Sequence, residues 1–314
     1  MSRKLSFLFF AFAFILMLGI HLSFSSIDNV YPITGNKVKT ATQYSTEDYS
    51  FTVAIKSCQP SLEIRAKENH NVQEETKKEM KVIGLIGGMT WISSAEYYRL
   101  INQLIAERLG GFHSARVILY SIDFAEVELA QHQGRWNEAA IMLTEVAKAL
   151  KRAGADFLVL CTNTMHKLAD EIEKGSGLPL IHIADVTGEA IKKRGFSKVG
   201  LLGSSFTMEE KFYRRRLKER FGLEVIIPDE KDRKTVSDII YEELSKDKFT
   251  ESSRRAYVEV INKLVKRGAE GIILGCTEIP LLIRAGDVDI PLFDTTRLHV
   301  EAAVEKALEG IIQP

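Results

Sequence analysis

The sequence predicts an α/β protein of two pseudo-symmetric domains, each a parallel-type sheet flanked by helices, with a cleft between them. From Lys81 onward, short apolar runs alternate with amphipathic segments, the pattern of βαβ units. The pattern then repeats. Lys198-Val-Gly-Leu-Leu-Gly-Ser204 matches Lys81-Val-Ile-Gly-Leu-Ile-Gly87 in character, and Lys266–Glu278 echoes Lys151–Asn163. Gly84 and Gly200 lie 116 positions apart, and Cys161 and Cys276 lie 115 apart. Two independent landmarks with nearly one offset argue for an internal duplication.

Taken in order, Lys81–Ile86 reads as a buried strand ending in Gly87-Gly88. Ser93 opens a helix, with Glu96 three residues on at capping-box spacing. Tyr97, Leu100, Ile101, Leu104 and Ile105 form its apolar stripe, and Gly110 stops it. Val117–Ile122 is a strand, Glu138–Ala153 a helix closed by Gly154, and Phe157–Leu160 a strand that runs into Cys161-Thr162-Asn163-Thr164. In the second copy Thr207 and Glu210 again have capping-box spacing. Residues 80–186 with 296–314 are assigned to the first domain and 187–295 to the second, the helix at about Thr296–Leu308 returning to the first.

The first quarter of the chain differs. Arg3 and Lys4 precede an apolar run from Leu5 to about Phe24, which reads as a signal peptide or membrane anchor over residues 1–26. The run suits attachment through residues 5–24, while Ser23 and Ser25 suit cleavage, and both readings stay open. Residues 27–79 are polar without a sustained apolar period, as in a linker or second targeting segment, and Cys58 stands there without a motif. Localisation follows from which reading holds: secretory or membrane-anchored, organellar, or cytoplasmic if translation starts at Met80.

Elsewhere the composition is that of a globular protein, 45% hydrophobic and 27% charged, with zero formal net charge. Bulk electrostatics therefore point to no nucleic-acid partner. The basic run Arg214-Arg215-Arg216 lies among apolar residues at helical spacing and reads as a solvated helix face. Gly84-Leu-Ile-Gly-Gly lacks the dinucleotide fingerprint, and no Walker loop or zinc-ligand spacing occurs.

The two repeated cysteines carry the chemistry. In an open parallel sheet, ligands bind beyond the carboxyl ends of the strands, where both Cys-Thr motifs stand. Helix-terminal amides there would lower a thiol pKa and hold a substrate carboxylate, helped by Thr162, Asn163, Thr164 and Thr277. A lone cysteine ending a strand is ordinarily a small core residue, and a disulfide between the two is a further alternative. Duplication favours chemistry, because equivalent strand ends facing one cleft would set a thiol on each side of a small molecule. One removes an α-proton and the other returns one to the opposite face.

At these residues the chain resembles the aspartate/glutamate racemase family, in particular its broad-specificity amino-acid racemase branch. The matching pieces are Gly84-Leu-Ile-Gly-Gly-Met-Thr-Trp91, Leu160-Cys-Thr-Asn-Thr-Met-His166, His182-Ile-Ala-Asp185, Leu202-Gly-Ser-Ser and Gly275-Cys-Thr-Glu-Ile279. The resemblance spans Met80 to Gly310 and leaves the N-terminal extension outside. It implies an active site between two α/β domains, no pyridoxal phosphate and no metal, a small-molecule amino-acid substrate, and a homodimer. It implies Cys161 and Cys276 as the proton-transfer pair, with Met89, Thr90, Thr162, Asn163, Thr164, Ser204, Thr277 and Glu278 binding substrate. His166 and His182 are candidates for supporting roles. Two alternatives remain: a related two-cysteine isomerase of the hydantoin racemase or maleate isomerase type, and a non-catalytic amino-acid-binding protein.

Overall fold

The computed structural model describes residues 41–46, 49–54 and 79–311. Two compact units are distinguished, one ending at Gln73 and one beginning at Glu74. In the first, strands β1 (Ala41–Thr46) and β2 (Tyr49–Ala54) pair antiparallel, inside the stretch read from sequence as a linker. One expectation is corrected: among the described residues no helix is long and apolar enough to cross a membrane, so the signal or transmembrane reading has no counterpart there. The run at residues 5–24, and Cys58, lie outside the described residues.

The second unit holds two four-stranded sheets, all of their pairings parallel. The first comprises β3 (Ile83–Gly87), β4 (Val117–Ser121), β5 (Phe157–Leu160) and β6 (Leu180–Ile181), in the order β4-β3-β5-β6. The other comprises β7 (Lys198–Gly203), β8 (Glu224–Ile226), β9 (Ile272–Gly275) and β10 (Leu292–Asp294), in the order β8-β7-β9-β10. The second order is the first repeated strand for strand, as a duplication requires. β3, β5 and β9 are buried along their whole length and β7 from Val199 on, which suits continuous apolar runs covered by helices on both faces.

Between the strands of the first sheet run α1 (Trp91–Leu109), α2 (Phe124–His132), α3 (Trp136–Arg152) and α4 (Ala169–Ser176). Next come α5 (Ile183–Lys193), α6 (Ser205–Glu209), α7 (Lys211–Phe221), α8 (Glu230–Glu242) and α9 (Glu251–Lys266). A short α10 (Ile279–Leu282) and the closing α11 (Thr295–Ala307) complete the chain. Helix α11 packs on α1 and α5, and its Val300, Ala303, Val304 and Ala307 join the apolar cluster of Ile83, Leu85 and Tyr97.

Both helix starts expected from capping boxes move upstream. Thr90 caps α1, accepting from the Ser93 amide, which leaves the Ser93 hydroxyl to donate to the Cys161 carbonyl at 2.9 Å. Ser204 caps α6 by accepting from the Thr207 amide. The basic run on α7 is also not uniformly solvated. Arg215 faces outward beside Glu219, whereas Arg216 grips the Asp185 carboxylate through Nε and Nη2 at 2.6 and 2.8 Å, joined there by Arg220. This cluster ties α7 to α5.

Candidate active site

Strand alternation decides which side chains at the end of β5 reach the site. Successive residues of a strand point to opposite faces. Phe157, Val159 and Cys161 enter one apolar cluster, with Tyr97 and Val300, while Leu158 and Leu160 enter another, with Leu143 and Met165. Cys161 is fully buried, and its thiol donates to the Val159 carbonyl at 4.0 Å. Thr162 points the other way.

The pairing registers give the same answer. Gly84 of β3 pairs with Leu158 of β5, and Gly200 of β7 pairs with Ile272 of β9. With Gly84 and Gly200 as equivalents, Leu158 corresponds to Ile272, an offset of 114 and not 115. Carried past the strand ends, Cys161 corresponds to Gly275 and Thr162 to Cys276.

Thr162 and Cys276 line a common cavity of about 40 Å³. The first sheet also contributes Met89, Thr90, Asn163, Thr164 and Met165, and the second contributes Ser204, Gly275, Thr277 and Glu278. All eight substrate-binding candidates are therefore gathered, with Cys276, around one space. Cys161 is not among them.

Glu278 organises the thiol side. Its Oε2 accepts from the Cys276 thiol at 3.0 Å and from the Thr277 hydroxyl at 2.8 Å, and its Oε1 from the Thr90 hydroxyl at 2.6 Å. Thr90 comes from the first sheet and Glu278 from the second, so this bond joins the two. On the other side Thr164, Ser204 and Thr207 form a triangle of hydroxyls 3.0 to 3.2 Å apart. Asn163 donates from Nδ2 to Thr295 at 3.0 Å, while its Oδ1 is buried with no hydrogen-bond partner. A buried acceptor left in this state favours a donor arriving with a ligand.

The thiols do not have the lowered pKa values expected from helix-terminal amides. Burial pushes both up, and at Cys276 the neighbouring Glu278 charge adds to the effect. Cys276 therefore rests as a thiol donating to a carboxylate. Both described cysteines are free.

The two histidines lie behind the cavity. His166 donates from Nδ1 to the Thr162 carbonyl at 2.7 Å, and His182 caps α5 by accepting from the Ala184 amide at 3.2 Å. With His299 they form a buried cluster, ring centroids 4.7 Å apart for His166–His182 and 5.4 Å for His166–His299. Burial holds all three imidazoles neutral, at about 3 for His182 and His299. Among the described residues no cluster of three or more His, Cys, Asp or Glu is arranged to hold a metal ion.

Sequence reasoning missed one wall of the cavity: Phe124 and Gln131 of α2, Ile240 and Tyr241 of α8, and Ser245. Gln131 left a readable trace, as a polar residue on the buried stripe Val127-Ala130-Gln131. An open cleft of about 990 Å³, lined by charged residues of α8 and by His132, adjoins this wall and shares Tyr241 with it.

Comparisons with known proteins agree with this architecture. A crystal structure of a candidate Asp/Glu racemase from Yersinia pestis is 55% identical, covering 73% of this chain and all of that one, with a TM-score of 0.69. An aspartate racemase homologue from Pyrococcus horikoshii is 37% identical over 73% of this chain and 99% of its own, with a TM-score of 0.64. The broad-specificity amino-acid racemase RacX of Bacillus subtilis is 26% identical over 52% of this chain and 69% of its own length. The family model described as Asp/Glu/hydantoin racemase matches residues 86–303, more than half of the chain, and the protein belongs to that family.

Proposed function

We propose that this protein is a cofactor-independent amino-acid racemase whose proton transfers run between Cys276 on one side of the substrate and Thr162 on the other. The observation that carries the reading is the Cys276–Glu278 hydrogen bond inside a cavity whose other sheet presents Thr162. The two-thiol scheme expected from sequence is revised, because the Cys161 side chain lies in the core.

In this scheme Glu278 takes the thiol proton as Cys276 attacks, so a thiolate forms only when needed. The substrate Cα–H bond breaks and an S–H bond forms, leaving a planar carbanion with charge spread into its carboxylate. Hydroxyl donors of Thr164 and Ser204 stabilise that charge. The Thr162 hydroxyl delivers a proton to the opposite face and is reprotonated by solvent. Glu278 releases to solvent the proton it took from the thiol, so the site returns to its starting state and solvent hydrogen enters the product. The unpartnered Asn163 Oδ1 receives the substrate ammonium. The cavity has room for about three waters, so admission of an amino acid requires its walls to part. A homodimer is part of this proposal. Trp91 and Tyr98 on α1, and Leu119 and Tyr120 on edge strand β4, are large apolar side chains left exposed for a second copy to cover.

The test is α-deuterium incorporation and loss of chirality for single-enantiomer amino acids in deuterium oxide, without added pyridoxal phosphate. Cys276→Ala and Thr162→Ala are both expected to abolish racemisation. Binding without any exchange would replace the reading with that of an amino-acid-binding protein.

A further inference from the structure

Resting on the racemase reading, we infer that His166 is the positioning residue for Thr162, aiming its hydroxyl through the backbone and taking no part in proton transfer. Thr162 is held from both sides. Its amide donates to the Leu160 carbonyl at 2.8 Å, and its carbonyl accepts from His166 Nδ1 at 2.7 Å. The planar peptide group that carries this carbonyl also carries the Asn163 nitrogen, so one bond sets two residues of the cavity wall. A β-branched side chain has few χ1 choices, and the Thr162 hydroxyl therefore goes where its backbone sends it. The His166 ring is itself buried against the rings of His182 and His299. Its bond goes to a backbone oxygen and not to the reacting hydroxyl, which suits orientation and not relay.

The second copy solves the same problem differently. Carried along the strand registers, Thr162 corresponds to Cys276 and His166 to Pro280, whose side chain has no donor. There the carbonyl of Cys276 accepts from the Ile279 backbone amide at 3.2 Å, and the thiol is oriented through its own bond to Glu278. The first-copy counterpart of Glu278 is Thr164, which bonds instead to Ser204 and Thr207. Thr162 is thus placed from its backbone and Cys276 from its side chain. Removing the His166 donor would leave the Thr162 carbonyl without this partner in a buried place, a state that favours rotation of the peptide.

The two faces of the substrate allow a test that a general structural defect would not pass. Both enantiomers of the common chiral amino acids are incubated with the full chain in deuterium oxide, and the parent's best substrate is carried through the variants. For the enantiomer whose Cα–H faces Cys276, the sulfur can take the proton, exchange it with solvent and return a deuteron to the same face without Thr162. In His166→Leu, inversion of that enantiomer is expected to fall by about 10- to 100-fold, while its α-exchange stays within about threefold of the parent. For the opposite enantiomer, exchange and inversion fall together. His166→Asn sets an amide donor where Nδ1 stood and His166→Gln sets one where Nε2 stood, so asparagine should restore the parent ratio of exchange to inversion and glutamine should not. This pair carries the test if the leucine variant fails to fold. A parent-like ratio in folded His166→Leu, or His166→Gln equal to His166→Asn, overturns the inference and leaves the racemase reading standing. Absence of exchange and inversion in the parent with every amino acid overturns both.

Discussion

Thr162 and Cys276 occupy the same position in the two copies of one strand end: each is the second residue after the strand position that aligns Leu160 with Leu274. Both side chains face the same cavity. The duplication therefore sets two groups of different chemistry, a hydroxyl and a thiol, at one cavity. The thiol has a carboxylate partner 3.0 Å away, whereas the position matching Glu278 in the first copy is Thr164. The proposed base machinery is thus concentrated on the second sheet.

Cys161→Ala tests this assignment directly. The side chain belongs to the apolar cluster of Tyr97 and Val300 and is not among the residues that line the cavity. Its truncation is expected to cost about 1–2 kcal/mol of stability, the scale of a small buried deletion, and to leave racemisation within about threefold of the parent. Urea unfolding and chirality assays would check the two parts. Loss of racemisation in a stably folded Cys161→Ala protein would return the thiol to the chemistry.

Glu278→Gln separates proton transfer from charge. The Glu278 carboxylate raises the Cys276 pKa, so its replacement should lower the thiol titration midpoint, read from thiolate ultraviolet absorbance against pH. A simple thiolate enzyme would then become faster at neutral pH. If Glu278 accepts the thiol proton, kcat instead falls by about 10²–10⁴ although more thiolate is present. The bond to Thr90 also joins the two sheets, so circular dichroism would accompany the kinetics.

Much of this arrangement was legible in the residues. The repeated Gly-rich strands and paired Cys-Thr motifs disclosed the duplication, and the eight binding candidates do meet at one cavity. The cysteine spacing and the strand registers differ by one residue. The chain between β3 and β5 is two residues longer than that between β7 and β9, so aligning cysteine with cysteine slipped the register by one. In a strand, a one-residue slip exchanges core face for site face. The α2 and α8 wall was hidden for another reason: Gln131 and Tyr241 reach the cavity through tertiary packing, not through a local motif.

Gly88 is expected to be intolerant of any side chain. Its φ is 96°, and a Cβ built there would lie 2.1 Å from the Ile122 carbonyl oxygen, a backbone atom that cannot rotate away. Its amide also donates to the Ser94 hydroxyl at 2.7 Å, fixing the loop that carries Met89 and Thr90. Gly88→Ala should destabilise by about 3 kcal/mol or more through combined strain and overlap. A denaturant midpoint within experimental error of the parent would refute this account of the loop.

The histidine cluster predicts acid sensitivity of the fold. Burial depresses the folded-state pKa of His166, His182 and His299, most clearly to about 3 for the latter two, against about 6.5 in an unfolded chain. At His182 the positive charges of Arg216 and Arg220 add to burial. Below about pH 6.5 the unfolded chain binds protons that the folded protein refuses, so stability is full above that pH and falls as pH drops toward 3. Each histidine adds a slope of about 1.4 kcal/mol per pH unit within that window. Burial raises the Asp294 carboxyl and gives the opposite sign, but only at the acid end, where carboxylates titrate. Urea unfolding at a series of pH values between 7.5 and 5 should therefore show a steep decline that His299→Gln makes shallower. A stability unchanged across that range would mean that the cluster takes up protons while folded.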